Sequence, residues 1–302
     1  MTRHWFILGP TASGKSAVAR ELARQTGGVV ANLDAFQVYG GLDIGTAKPT
    51  LGERADVPHT LFDLAGPCDD YSVAEHLRHA AEFLSREKRP VIWVGGTGLY
   101  YRALTRGLAE APATEPGVRA ELDSLDLETL REEILRVDPV WAAGADLSNP
   151  RRIVRALAVF RQTGRPLSAW QADPVRALVP EGRACLLLRS AESLHERIAA
   201  RVRAMWEAGW PDEVRRLLEI PGWEGSSSSH ALGYAEVAAW CRNGGDSKDV
   251  RDQIVTRTRQ YARRQLTWLR RENNLECIEL DERSDPPSIA RTLVRDLPPA
   301  CP

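Results

Sequence analysis

The sequence predicts an α/β fold, a P-loop NTPase-like parallel sheet flanked by helices, with an inserted helical domain. Three observations lead there. Gly9-Pro10-Thr11-Ala12-Ser13-Gly14-Lys15-Ser16 fits G-x-x-x-x-G-K-[ST], the phosphate loop. An apolar run precedes that loop and a helical stretch follows it, and further short apolar runs and helical stretches come after and again near the C-terminal end, the pattern of a parallel sheet. From about Pro112 the composition turns charged and helical, with little strand signal until Ala184.

The first element is the apolar run Trp5-Phe6-Ile7-Leu8, a short buried strand, and the stretch Ala17–Ala23 reads as the helix after the loop. Strand, glycine turn and helix together give the motif the context it needs. The glycines let backbone N–H groups turn inward around phosphate oxygens, and the helix N-terminus adds partial positive charge. Lys15 is then expected on the terminal phosphates and the Ser16 hydroxyl on Mg²⁺. The chain is expected to bind a di- or triphosphate.

Composition narrows the rest. The 302 residues carry a formal net charge of −1, so no global field draws a polyanion and any nucleic-acid surface must be local. Cys68, Cys185, Cys241, Cys277 and Cys301 are widely spaced, with no C-x-x-C pair. That usage fits a reduced compartment and argues against a zinc site or a disulfide framework. No apolar run is long enough to span a bilayer, so a soluble, cytoplasmic protein without a membrane partner is expected.

A second strand, Gly28–Asn32, runs into Leu33-Asp34-Ala35-Phe36-Gln37-Val38-Tyr39. Ligands of parallel α/β sheets sit at the carboxyl ends of strands. Asp34 is therefore expected beside the phosphate loop, able to hold magnesium or accept a proton, with a helix cap as its alternative role. The glycine-rich stretch Gly40–Pro49 reads as a mobile loop. His59–Leu64 could be another strand. Ser72 and Glu75 have capping-box spacing and open a helix running to about Lys88, on which His76 and His79 read as surface or boundary residues. Pro90–Val94 is a buried strand ending in the glycine turn Gly95–Tyr100. It lacks an acid at its tip, which argues against a motor ATPase.

The insertion is placed at 112–182, leaving 1–111 and 183–302 as the core. Within it Asn149 is expected to cap a helix with Pro150 at its first position, Ile153, Ala156, Leu157 and Phe160 on the apolar face, and Gly164 at its end. Arg151, Arg152, Arg155, Arg161 and Arg165 lie in a segment, Leu147 to Ala172, that holds no acid, which suggests a phosphate partner. Ala184–Leu188 is expected to rejoin the sheet. The helix Leu194–Val202 carries Arg197 and Arg201 one turn apart, either reaching the phosphate pocket or pairing with Glu196. Ser226–Ser229 reads as a flexible loop. A basic helix follows from about Val250 to Arg271, with Arg259, Arg263 and Arg270 on one side and Tyr261 stacked with Trp268 on another, the composition of an RNA surface. Leu275–Leu280 is a last strand before a polar, proline-rich tail. The residues alone indicate a phosphate-loop enzyme acting on or with RNA.

Six blocks make the chain resemble the tRNA dimethylallyltransferase family, also called tRNA isopentenyltransferase. They are GPTASGKS from Gly9, DAFQVYGGLDIGTAKP from Asp34, VGGTGLYYRAL from Val94, PRRIVRALAVFRQTGRPLS from Pro150, HALGYAEV from His230 and RTRQYARRQLTWLRRE from Arg257. The resemblance implies transfer of a dimethylallyl group from dimethylallyl diphosphate to N6 of the adenosine just 3′ of a tRNA anticodon. It implies that Gly9, Pro10, Thr11, Ala12, Ser13, Gly14, Lys15 and Ser16 hold the donor diphosphate rather than ATP, with Mg²⁺ at Ser16. Asp34 takes the place of the general base, and Thr97 that of a threonine near the bridging oxygen and the adenine. Asp34, Ala35, Phe36, Gln37, Thr97, Arg119, Arg151, Arg152, Ile153, Val154 and Arg155 fall in segments that contact tRNA, and a monomer binding the anticodon stem-loop is expected. Ala35, Gly40 and Ala158 depart from the family pattern. A P-loop nucleotide or small-molecule kinase and a non-catalytic RNA-binding nucleotide switch are the other functions a phosphate loop permits.

Overall fold

The computed structural model describes residues 3–173 and 175–295; Cys301 lies outside them. Six strands form one sheet in the order β3-β2-β4-β1-β5-β6. They are β1 (His4–Leu8), β2 (Val29–Asn32), β3 (His59–Thr60), β4 (Val91–Gly95), β5 (Arg183–Arg189) and β6 (Glu276–Leu280), and every neighbouring pair is parallel. Parallel pairing requires each connection to cross over, and here helices do so. Helix α1 (Lys15–Thr26) joins β1 to β2. Helix α2 (Leu51–Asp56) precedes β3, α3 (Val73–Arg86) leads to β4, and α4 (Gly98–Arg106) follows it. The strand expected over His59–Leu64 is cut to two residues, because Leu61 and Asp63 take positive φ, which no strand accommodates.

Strand alternation distributes β1 to two faces. Trp5 and Ile7 enter a core with Val18, Leu22, Ile92 and Leu187. Phe6 points the other way, stacked on Trp93 at 6.2 Å and edge-on to Tyr101 at 5.1 Å. Both faces are covered, as a parallel sheet needs. Residues 286–295, expected as tail, form α14 (Pro286–Arg295), whose Ala290 and Leu293 pack beside α1 in the first core; the helices between are introduced below.

The contacts divide the chain into two compact units, Met1–Ala103 with Val179–Pro302, and Leu104–Leu178. The boundary drawn from composition, 112–182, starts later, because the second unit begins within the last turn of α4. Its helices are α5 (Pro116–Asp123), α6 (Leu127–Val137), α7 (Pro139–Gly144), α8 (Pro150–Thr163) and α9 (Leu167–Ala172). Ile153, Ala156 and Leu157 of α8 pack on Leu122, Leu130 and Ile134. Phe160 is only half-buried, while Val154 and Ala158 are buried, so the apolar face is broader than a narrow stripe. Pro150 opens α8, but the Asn149 side chain makes no capping bond.

In the first unit, β5 is followed by α10 (Ala191–Glu207), α11 (Trp210–Leu218), α12 (Tyr234–Asn243) and α13 (Ser247–Leu269). The serine run is not a flexible loop. Ser226, Ser228 and Ser229 are buried; Ser228 accepts from Trp223 Nε1 at 2.9 Å and donates to Pro67 O at 2.6 Å. The capping box of Ser72 and Glu75 is present at α3. His76, expected at a surface or boundary, is fully buried against Tyr100, and burial pushes its pKa down to about 4.

Candidate active site

The loop between β1 and α1 is shaped by groups from distant sequence. Gly14 has φ 100°, a conformation open to glycine, and Ala12 is held at φ 64°. Arg197 Nε donates to Ala12 O at 2.8 Å and Arg189 Nε to Ser13 O at 3.0 Å. The two guanidinium groups thereby hold loop carbonyls on one side. Ser13 N donates to Pro10 O at 3.2 Å, and Thr11 N donates to Gln265 Oε1 at 2.9 Å. The Ser13 hydroxyl is buried close to Gly9. The amides of Lys15 and Ser16 open α1 and have no carbonyl one turn earlier to bind.

A cavity of about 310 Å³ lies at this end of the sheet, lined by Lys15, Ser16, Asp34, Arg201, Tyr261 and Gln265 among others. Lys15 Nζ donates to Pro10 O at 3.2 Å. Burial and the neighbouring Arg201 lower its pKa to about 8, against an opposing pull from Asp34. Burial also lowers Arg201, again opposed by Asp34. Of the two roles proposed for Arg197 and Arg201, both take places around the phosphate loop. The first binds the loop and the second lines the cavity.

Asp34 follows β2. The side chain of Asn32 grips its backbone from both sides, accepting from Asp34 N at 2.8 Å and donating to Asp34 O at 3.0 Å. Asp34 Oδ1 accepts from Phe36 N at 2.9 Å, a turn bond of the capping kind, and the carboxylate still lines the cavity. Thr97 stands where β4 passes into α4, its backbone carbonyl accepting from Tyr100 N at 3.1 Å. Burial, and Asp34 after it, raise the pKa of Tyr261. Phe36 and Gln37 line the cavity as well. A second cavity of about 870 Å³, with Ile44, Phe62 and Ala204 in its wall, shares Ser16, Gln37 and Arg201 with the first.

The stretch Gly40–Pro49 is pinned rather than mobile. Its Lys48 is buried, donating to Tyr39 O at 2.7 Å and paired with Asp43 at 2.5 Å and Asp63 at 2.6 Å. On α13, Arg259, Arg263 and Arg270 are exposed, while Arg257 pairs with Glu236. Tyr261 and Trp268 do not stack on one another. Arg264 lies over Tyr261 at 5.9 Å, and Arg102 over Trp268 at 4.7 Å, with the indole seated on Gly98.

The arginines of α8 divide in a way the sequence did not indicate. Arg151 and Arg152 are exposed, as is Arg119, which pairs with Asp123 at 3.4 Å. Arg155 instead turns inward, donating to Pro112 O at 2.6 Å, Thr114 Oγ1 at 3.1 Å and Ala111 O at 3.2 Å. Arg161 pairs with Glu133 and Arg165 with Asp173, acids supplied from outside the acid-free segment. Ile153 and Val154, expected among tRNA contacts, have their side chains buried in the core of the unit. Gln265 and Glu213 were missed. Gln265 could have been found only as a polar residue on the inward face of α13.

A parallel sheet with a phosphate loop, and a cavity beside it lined by a lysine, an arginine and a carboxylate, defines a P-loop protein with a site suited to a phosphorylated ligand. The IPP transferase family model matches residues 37–272, and the isopentenyl transferase model residues 2–58. The chain is 42% identical over 282 residues to a tRNA dimethylallyltransferase of Stenotrophomonas maltophilia, covering 88% of this chain and 89% of that protein. The crystal structure of a tRNA isopentenylpyrophosphate transferase from Bacillus halodurans is similar with a TM-score of 0.70 at 30% identity, covering 97% and 96% of the two chains. A eukaryotic dimethylallyltransferase captured acting on tRNA is similar with a TM-score of 0.78 at 25% identity, over 92% of this chain and 74% of that one. The chain belongs to the IPP transferase family, the tRNA dimethylallyltransferases.

Among the described residues no helix is long and apolar enough to cross a membrane, and no cluster of three or more His, Cys, Asp or Glu side chains is placed to hold a metal ion.

Proposed function

We propose that this chain transfers the dimethylallyl group from dimethylallyl diphosphate to N6 of the adenosine just 3′ of a tRNA anticodon. The observation that carries this reading is the single cavity in which Lys15, Ser16 and Arg201 face Asp34. In the step, the bond between the allylic carbon and the diphosphate oxygen breaks and the bond from N6 to that carbon forms. Diphosphate leaves with the bonding pair. Asp34 takes the proton from the exocyclic amine. A poor nucleophile gains typically ~10²–10⁴-fold from such a positioned base.

Lys15, Arg201 and the first amides of α1 offset the charge that builds up on the leaving diphosphate. The amides tied to Pro10 and Gln265 fix the loop's shape. Thr97, at the start of α4 beside the cavity-lining Gly95, is assigned to the bridging oxygen and the incoming adenine. The site suits Mg²⁺ held chiefly by substrate oxygens, with the Ser16 hydroxyl as the protein's hard oxygen donor at the start of α1. Bound there, the ion would add charge neutralisation at the diphosphate. The adenine must leave its stack, at a cost of roughly a few kcal/mol. Arg259, Arg263 and Arg270 on α13, and Arg119, Arg151 and Arg152 in the inserted unit, are exposed cations able to hold the anticodon stem-loop. In this reading the protein works as a monomer on free tRNA in the cytoplasm.

The test is transfer of labelled dimethylallyl to unmodified tRNA, with ATP and AMP as parallel controls. Asp34→Asn should retain tRNA binding and lose ~10²–10⁴-fold in turnover. Near-normal turnover in that variant removes Asp34 as the base. ATP consumption without transfer would make the protein a kinase or a switch.

A further inference from the structure

Glu213, on α11, is a carboxylate that forms no ion pair among the described residues and is almost shut off from solvent, 3% exposed. Its neighbours are instead a set of donors. Glu213 Oε2 accepts from Asp43 N at 2.8 Å and Ile44 N at 2.7 Å, and Oε1 accepts from Gly45 N at 3.2 Å and the Tyr234 hydroxyl at 2.7 Å. Three successive backbone amides converging on one anion fix the course of that segment. Gly45 leaves no room for any other residue, since a Cβ there would lie 2.2 Å from Trp210 Nε1.

What the clamp holds is a platform for one side chain in the cavity. Gln37 Nε2 donates to Thr46 O at 3.0 Å and to Ala47 O at 3.1 Å. Carbonyl oxygens only accept, so both amide hydrogens are committed and the orientation of the amide is settled. Gln37 therefore presents its Oε1, an acceptor, to the cavity that also holds Asp34. Lys48 closes the far end of the segment on Asp43 and Asp63.

We infer that Glu213 is a positioning residue for the acceptor base: through the amides of Asp43, Ile44 and Gly45 it fixes the carbonyls that orient Gln37. The inference rests on the tRNA reading above. Of the two, Gln37 lines the cavity and Glu213, outside it, acts through Gln37.

A double-mutant cycle tests this, with labelled transfer to tRNA and thermal unfolding measured on every variant. Glu213→Gln removes one acceptor oxygen from a site that needs both. It should lower kcat/KM for tRNA roughly 10-fold or more, and leave KM for dimethylallyl diphosphate within about 2-fold. In a Gln37→Ala background the same change should cost less than about 3-fold, because the group it orients is gone. Tyr234→Phe, which removes a single donor, repeats the cycle at smaller amplitude and decides the matter should Glu213→Gln not fold. An equal factor in both backgrounds, or an equal rise in KM for the donor, would overturn the inference and make Glu213 a general stabiliser. Absence of transfer by the wild-type chain would instead overturn the tRNA reading, and the inference with it.

Discussion

Helices α10 and α8 both present arginines in the sequence, and what faces the guanidinium groups separates them. Arg201 of α10 looks into a cavity with Lys15 and Asp34, a place where positive charge is crowded and only partly offset. Arg155 of α8 is already satisfied by two carbonyls and a hydroxyl of its own unit, and Arg161 by Glu133. A crowded, undercompensated cation waits for a ligand, whereas a satisfied one holds its unit together. Number of arginines says little; the neighbours on the other elements say more.

The contrast can be broken by substitution. Arg201→Leu should lose the most, ~10²–10³-fold in transfer with unchanged thermal unfolding, if the arginine offsets charge on the leaving group. A loss of melting temperature with little loss of transfer would reverse its role. Arg155→Ala leaves the carbonyls of Pro112 and Ala111 without their donor and should cost about 1–3 kcal/mol in stability, read by denaturant unfolding. Its tRNA affinity should keep the wild-type salt slope; a slope reduced by about 1 would show that Arg155 swings out to a phosphate.

Lys15 sharpens the same comparison through pH. Burial and Arg201 hold its pKa near 8, and a bound diphosphate raises it by stabilising the ammonium form. Below pH 8 the amine is already charged. Above it, binding must take up a proton, so affinity for inorganic diphosphate should fall by up to about tenfold per pH unit. Calorimetry in buffers of differing ionisation heat checks the uptake, and a flat profile from pH 7 to 9 would contradict it. The smallest effect belongs to Arg161→Ala, a partly exposed pair with the half-buried Glu133, at about 1 kcal/mol with no change in transfer.

Much of this was legible in the chain. The phosphate loop, the strands around it, the capping box at α3 and the proline that opens α8 are local patterns, and local chemistry produces them. Asp34 was placed correctly beside the loop because strand ends in parallel sheets face one way. Features that depend on partners far along the sequence were not legible. Gln265 meets Thr11, and Glu213 meets Asp43, across most of the fold. Gly40–Pro49 looked mobile from its glycines, yet the groups that pin it, Glu213 and Asp63, lie elsewhere. Arg155 looked like a phosphate ligand for the same reason: the carbonyls it binds belong to another stretch.

The position of β1 between β4 and β5 has a consequence for synthesis. The strand that carries the phosphate loop can pair with β4 early, but its other edge stays open until β5 has been made. Arg189 and Arg197, which hold the loop carbonyls, arrive with or after β5. All of the inserted unit is translated in between, a wait of several seconds at about 5–20 residues per second. During that time the nascent chain carries an exposed strand edge and an unbraced loop. The donor site is thus completed late, after the inserted helices have left the ribosome.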